Sequence, residues 1–160
     1  MILEILILII LATIVVILAR KLPQTAQFSK PEIKQGEKET DLTKAEKFFE
    51  EKKFPQAEEL YLKAATQDPD NSQIYNRLGV IYLDKRYYND ALAAFKEALR
   101  LDNKIASRHI NVGVIYTKLG KHGLAARYFR NALKLDPDNR KYKQLLKNAE
   151  DKVQEKKEKR

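Results

Sequence analysis

The sequence contains no cysteine and only two histidines, and these scarcities exclude several kinds of chemistry. Without cysteine there is no disulfide, no thiolate metal site and no cysteine nucleophile. His109 and His122 have no partners at metal-ligand spacing, and the five glycines are scattered rather than gathered into a phosphate-binding loop. No side chains form a pattern typical of a catalytic centre. We therefore expect no enzymatic activity, no cofactor, no bound metal and no small-molecule substrate.

Basic residues are in excess, with 31 Lys and Arg against 22 Asp and Glu, but the excess is unevenly placed. Residues 1–37 carry four basic and three acidic residues, and residues 140–160 carry nine and four. The region between is nearly balanced, whereas a nucleic-acid-binding domain concentrates Lys and Arg on one face. We therefore expect no nucleic-acid partner. A basic tail that touches anionic membrane or nucleic acid stays open as an alternative.

The one long hydrophobic run covers residues 1–19, where Glu4 is the only charged residue. A helix of roughly 18–20 residues spans a hydrocarbon core of about 30 Å. A cleaved signal peptide would need a basic start and small residues before the cleavage site. This run has no basic start, and bulky Ile17 lies two residues before Ala19, after which a cut would fall. The sequence therefore predicts a transmembrane anchor over residues 1–20.

The residues that follow the hydrophobic run set the expected orientation. Arg20 and Lys21 follow it directly, and no basic side chain precedes it. The positive-inside rule then places the N-terminus outside and the rest of the chain in the cytoplasm, as a single-pass membrane protein. Residues 21–37 combine Pro and Gly with polar residues and lack an apolar period, which indicates a flexible linker.

A repeat with a period of 34 residues organises the rest of the chain. Gly-Val-Ile-Tyr occurs at 79–82 and again at 113–116, and several further residues recur at the same offset, among them Ala91 and Ala125, Phe95 and Phe129, Ala98 and Ala132. A fainter copy upstream has Ala45, Ala57, Tyr61 and Ala64 at the matching places. A fixed period is the signature of stacked repeats. The sequence predicts three units, 38–71, 72–105 and 106–139.

Each unit is predicted to be a pair of helices. In the second unit, Tyr75, Leu78 and Tyr82 recur at helical spacings, and a break at 86–89 precedes a second apolar face. Small residues such as Gly79 allow close helix approach, and large ones fill the gaps beside them. Residues 140–160 carry one apolar stripe and then a charged end, which indicates a capping helix with a basic tail. The predicted fold is all-α: three helix–turn–helix units, a capping helix and an N-terminal transmembrane helix.

These units resemble tetratricopeptide repeats. The family pattern is met in the second unit by Tyr75, Leu78, Gly79, Tyr82, Ala91, Phe95 and Ala98, with Asn103 in place of a proline, and in the third by His109, Val112, Gly113, Tyr116, Ala125, Phe129, Ala132 and Pro137. The first unit keeps Ala45, Phe48, Ala57, Tyr61, Ala64 and Pro69. The resemblance implies a right-handed α-solenoid whose concave groove, lined by the first helix of each pair, binds a peptide or helix of a partner protein.

The resemblance also identifies candidate groove positions. Family members that clamp the C-terminal carboxylate of heat-shock chaperones use five groove positions with Lys, Asn and Arg, and this chain has Leu42, Glu46, Arg77, Ser107 and Asn111 there. The clamp is therefore absent. Family geometry implies that ten residues project into the groove: Leu42, Thr43, Glu46, Arg77, Val80, Asp84, Ile110, Asn111, Val114 and Lys118.

The expected function is that of a membrane-anchored adaptor or scaffold, which binds a segment of a partner protein in the groove and recruits it to the membrane. One alternative is a structural assembly factor that self-associates through its repeats or its anchor. The other is the binding of anionic membrane or nucleic acid through the basic tail.

Overall fold

The computed structural model describes residues 40–159, which belong to one compact unit, Glu39–Arg160. These residues form seven α-helices and no strand: α1 (Asp41–Glu50), α2 (Phe54–Gln67), α3 (Ser72–Asp84), α4 (Tyr88–Leu101), α5 (Ala106–Lys118), α6 (His122–Leu135) and α7 (Arg140–Glu158). The all-α repeat prediction is confirmed for this region. The transmembrane helix and linker predicted for residues 1–37 lie outside the described residues. Within 40–159, no helix combines the length and the apolar character needed to cross a membrane.

The turn inside each unit has the same backbone geometry three times. A residue with positive φ ends the first helix of each pair: Lys52 (58°), Arg86 (62°) and Gly120 (70°). The next N–H in each turn donates to a carbonyl five residues back, at 2.8 Å in all three units. This bond is the outer hydrogen bond of a Schellman motif, which favours glycine at the left-handed position. Only the third unit has glycine there, so two of the turns impose a left-handed conformation on a residue with a Cβ atom.

Local sequence signals also fix where helices begin. The side chain of Thr40 accepts a hydrogen bond from the N–H of Thr43 at the start of α1, and Asn71 and Asn139 accept equivalent bonds at the starts of α3 and α7. These side chains satisfy N–H groups that have no partner inside the helix. Pro55 lies in the first turn of α2, where its missing N–H costs nothing.

The core depends on glycines that let the two helices of a unit approach closely. Gly79 on α3 faces the Phe95 ring on α4, and Gly113 on α5 faces the Phe129 ring on α6. Both rings are almost completely buried. Successive helices pack against each other from α1 to α7, and Ala149 of α7 is buried against the last unit. The result is a stack in which each unit covers the apolar face of its neighbour.

A buried arginine joins the second and third units. Arg108 on α5 is 8% exposed, and its guanidinium pairs with the carboxylate of Asp102 and donates to the hydroxyl of Ser72 at 2.9 Å. Charge-assisted hydrogen bonds of this kind compensate the burial of the guanidinium. The contact therefore fixes how α5 lies against the preceding unit.

Candidate partner-binding groove

The first helices of the three units, α1, α3 and α5, are linked to one another by polar side chains. The surface they share is called the first-helix face below. Arg77 on α3 pairs with Glu46 on α1, with 2.9 Å between Nη2 and Oε2. Gln73, one turn earlier on α3, donates to the same carboxylate at 3.0 Å. Two donors from α3 thus hold one carboxylate of α1, and the predicted groove residues Glu46 and Arg77 lie in direct contact.

An amide pair forms the corresponding link between α3 and α5. Asn111 Nδ2 donates to Asn76 Oδ1 at 2.9 Å. Each amide can make further hydrogen bonds, because a side-chain amide carries two donor hydrogens and two acceptor lone pairs. A cleft of about 250 Å³ opens beside this pair, lined by residues that include Asn76, Arg77 and Ser107. The first-helix face therefore combines a cleft with two side-chain amides that have further hydrogen-bonding capacity.

Two aromatic side chains, Phe49 and Tyr61, lie near the Glu46–Arg77 ion pair. The guanidinium carbon of Arg77 lies 4.5 Å from the ring centre of Phe49, a cation–π distance. Tyr61 on α2 is completely buried behind this region. Burial raises the pKa of the Tyr61 hydroxyl, and the nearby negative charge of Glu46 adds to the rise. Tyr61 therefore stays neutral behind the Glu46–Arg77 ion pair.

The other seven predicted groove residues fall into three groups according to their exposure and contacts. Leu42, Val80 and Val114 are half-buried and pack against the core with one side. Asp84 and Lys118 are exposed at the ends of α3 and α5. Two residues are already engaged within the fold: the Thr43 hydroxyl lies 2.8 Å from that of Thr40, and Ile110 is 7% exposed in the core. Ile110 therefore contributes to packing, because an isoleucine at this level of burial offers little surface to a ligand.

Three residues of the first-helix face were missed by the sequence prediction. Asn76 occupies the same repeat position as Leu42 and Ile110, 34 residues from each, so the period alone identifies it. Phe49 and Gln73 carry no such signal. They become visible only when the structure places one under the Arg77 guanidinium and the other against Glu46.

The structure explains what replaces the carboxylate clamp. Glu46 and Arg77 stand at two clamp positions and neutralise each other, while Asn111 at a third is paired with an amide. No cationic side chain of the described residues replaces the lysines at the remaining two positions, which are Leu42 and Ser107. The face offers hydrogen bonds and modest apolar contact rather than concentrated positive charge.

The described residues contain no group of three or more His, Asp or Glu side chains arranged to hold a metal ion. His109 instead takes part in packing. Its Nε2 lies 3.1 Å from the carbonyl oxygen of Asn103, and its ring lies 6.3 Å from that of Tyr128.

Comparison with known proteins agrees with this architecture. Family models for the tetratricopeptide repeat match residues 42–106 and 106–139, which together exceed half of the chain. The human DnaJ homolog subfamily C member 7 is 28% identical over 113 residues, covering 71% of this chain and 23% of the relative. The tetratricopeptide repeat domain-containing protein PYG7, chloroplastic, of Arabidopsis thaliana is 28% identical over 131 residues, covering 78% of this chain and 44% of the relative. The chain thus spans less than half the length of either relative.

A solved structure gives the same result for the fold. The second TPR domain of the human RPAP3 protein, in complex with the HSP70 peptide SGPTIEEVD, superposes with a TM-score of 0.64 at 25% identity. The superposition covers 69% of this chain and 92% of that domain. The repeat period, the paired helices and the family matches lead to one conclusion: the chain belongs to the tetratricopeptide-repeat family.

Proposed function

We propose that this protein is a membrane-anchored adaptor that binds a segment of a partner protein on its first-helix face and holds that partner at the membrane. The observation that carries the proposal is the Asn76–Asn111 amide pair beside the cleft of about 250 Å³. Amide side chains on adjacent helices can donate to and accept from the backbone of an extended peptide or the polar side of a helix. The human RPAP3 domain with a bound peptide supports a peptide ligand for this fold.

The expected ligand is an internal segment rather than a free C-terminus. A terminal carboxylate needs uncompensated cationic donors, and the Arg77 guanidinium is already paired with Glu46. Half-buried Val80 and Val114 offer apolar contact one turn along the same helices. A segment with alternating apolar and polar residues matches these features.

Site-specific photo-crosslinking in membranes tests the proposal. A photoreactive amino acid at Lys118, on the first-helix face, is expected to capture a partner, and the same amino acid at exposed Ala93 on α4 is the control position. The double variant Arg77→Ala, Asn111→Ala should lower the yield at Lys118 at least about tenfold, because Asn111 loses hydrogen bonds worth about 1 kcal/mol each and the Glu46 carboxylate is left without its Arg77 partner.

Arg100→Ala is the matched control for this experiment. Arg100 lies on α4, and its guanidinium pairs with Glu97 of the same helix at 2.7 Å. The substitution removes the same charge from an exposed intrahelical pair, so the cross-link yield should not change. Equal capture from positions 118 and 93, or an unchanged yield in the double variant, would contradict binding on the first-helix face.

The membrane part of the proposal rests on the apolar run at residues 1–19 and the basic residues that follow it. A single-pass anchor with the repeats in the cytoplasm keeps the protein in the membrane fraction at alkaline pH, and removal of residues 1–20 releases it. Reporter fusions after residue 160 test the orientation. Activity of a reporter that works only outside the cytoplasm would reverse the assignment.

A further inference from the structure

A second cleft lies away from the first-helix face, where α7 continues beyond the repeat pattern. The first helices α3 and α5 end at Asp84 and Lys118, and the equivalent position on α7 is Lys152. Helix α7 continues to Glu158, and its last turns lie beside the turn between α5 and α6. A cleft of about 540 Å³ opens between these segments. This volume lies within the range of about 300–1,000 Å³ that is common for ligand sites.

Residue differences between the units leave this cleft open. The first two units have Pro55 and Asn89 where the third has Gly123. A Cβ atom added at Gly123 would meet no atom within 4 Å, so the space above the glycine is empty. The apolar part of the lining comes from Leu124, which is 41% exposed, and from half-buried Val153. The recess can therefore accept a bulky apolar side chain.

The rim of the same cleft is basic. Four lysines line it: Lys121, Lys152, Lys156 and Lys157. Lys152 is paired with Glu155 at 2.8 Å, while the other three make no ion pair within residues 40–159. The first turn of α6 contains no acidic residue, so the positive end of that helix is not offset locally. The cleft is thus complementary to negative charge around an apolar group.

We propose that this cleft is a second docking site, for an acidic segment of a partner protein that carries one bulky apolar side chain. The apolar side chain enters the recess over Gly123 and contacts Leu124 and Val153. Acidic residues on either side of it pair with the lysines at the rim. A recess with an apolar wall favours an inserted side chain over a flat lipid surface. The cleft shares no lining residue with the cleft beside Asn76, so either site can fail without the other.

Fluorescence anisotropy with the full-length protein in a non-ionic detergent tests the site. The probe is a fluorescein-labelled synthetic peptide with one leucine flanked on both sides by glutamates. Replacing Lys121 and Lys156 with Gln should weaken binding about threefold to tenfold at low salt, since each exposed pair contributes about 0.2–1 kcal/mol. The control replaces Lys134 and Lys147, which lie outside the cleft lining, and should stay within about twofold because it changes net charge equally. A probe with serine in place of leucine should also bind more weakly.

Gly123→Glu gives a test that does not depend on a destabilised variant. The new side chain has free space, and an acidic residue in the first turn favours helix α6. The variant should unfold no more easily than the wild type, yet lose at least about tenfold in peptide affinity through like-charge repulsion at close range. Equal affinities of the wild type, Gly123→Glu and the Lys121 and Lys156 double variant would overturn the proposal. Displacement of the peptide by short-chain phosphatidylglycerol at lower concentration than by unlabelled peptide would also overturn it, in favour of a lipid.

Discussion

The close contact between Gly79 and Phe95 leads to a sharp prediction for Gly79→Ala. A Cβ atom at this position would lie 2.6 Å from Cδ1 and from Cε1 of Phe95. Carbon atoms in ordinary contact are about 3.5–4.0 Å apart, so the new methyl group is about 1 Å too close. The Phe95 ring is 1% exposed and has little room to move. Relief must therefore come from separating α3 and α4.

Two opposing contributions decide the size of the effect. Alanine is better than glycine inside a helix by about 1 kcal/mol. Overpacking of a filled core costs about 1–3 kcal/mol, and a rigid buried ring places this site toward the upper end of that range. We expect Gly79→Ala to lower the free energy of unfolding by about 1–2 kcal/mol. Gly123→Ala is the matched control and should raise it by about 0.5–1 kcal/mol, because its Cβ meets no atom within 4 Å.

Urea denaturation of the full-length protein, followed by circular dichroism at a helical band, measures both changes. Adding Phe95→Leu to Gly79→Ala removes part of the ring that causes the clash. The double variant should therefore be more stable than the sum of the single effects predicts, with a coupling of about 1 kcal/mol. A stabilising Gly79→Ala, equal to the control, would refute the idea that close approach of the helices requires glycine here.

Two further predictions concern the turns within units and the Arg108–Asp102 ion pair between the second and third units. Lys52→Gly should raise the free energy of unfolding by about 1 kcal/mol, and Gly120→Ala should lower it by a similar amount, because both residues have positive φ. Denaturant titration measures both changes, and the opposite order of stability would contradict the turn geometry. The N–H of Lys104 and then the Arg108 guanidinium hold the pKa of Asp102 below its usual value of 3.8. A lowered carboxyl pKa stabilises the fold above the unfolded-state pKa and loses that effect as pH falls through the folded-state value. The stability difference between wild type and Asp102→Asn should therefore be constant above about pH 5 and shrink below about pH 3.8, and a difference that persists at low pH would show that the carboxylate charge is not involved.

Much of the repeat architecture could be predicted because it is encoded locally. Pro55 marks a helix start by its missing N–H, and Asn71 and Asn139 mark others by capping. The recurrence of Gly79 and Phe95 as Gly113 and Phe129 encodes a helix contact that the structure shows twice. Each signal lies within one unit and recurs in another. A position that is ambiguous in one unit can therefore be interpreted from its equivalent in another.

Features that depend on long-range side-chain partners were harder to predict. Arg77 was identified as a groove residue. Nothing in the sequence shows that its guanidinium pairs with the Glu46 carboxylate and lies over the Phe49 ring. Ile110 was predicted in the groove, yet lies in the core because α5 is covered by the preceding unit. The left-handed conformation of Lys52 was also missed, because a lysine gives no sign of the turn that a glycine would reveal.

The stacking of successive helices has a mechanical consequence. In residues 40–159, extensive packing joins each helix to the next in the chain, and side-chain hydrogen bonds on the first-helix face also link α1 to α3 and α3 to α5. A pulling force applied at the two ends therefore loads the interfaces one after another rather than all at once. The stack should yield in steps of about one unit and recover in the same steps, as an elastic connector does, while a partner bound across two units would raise the force needed to separate them.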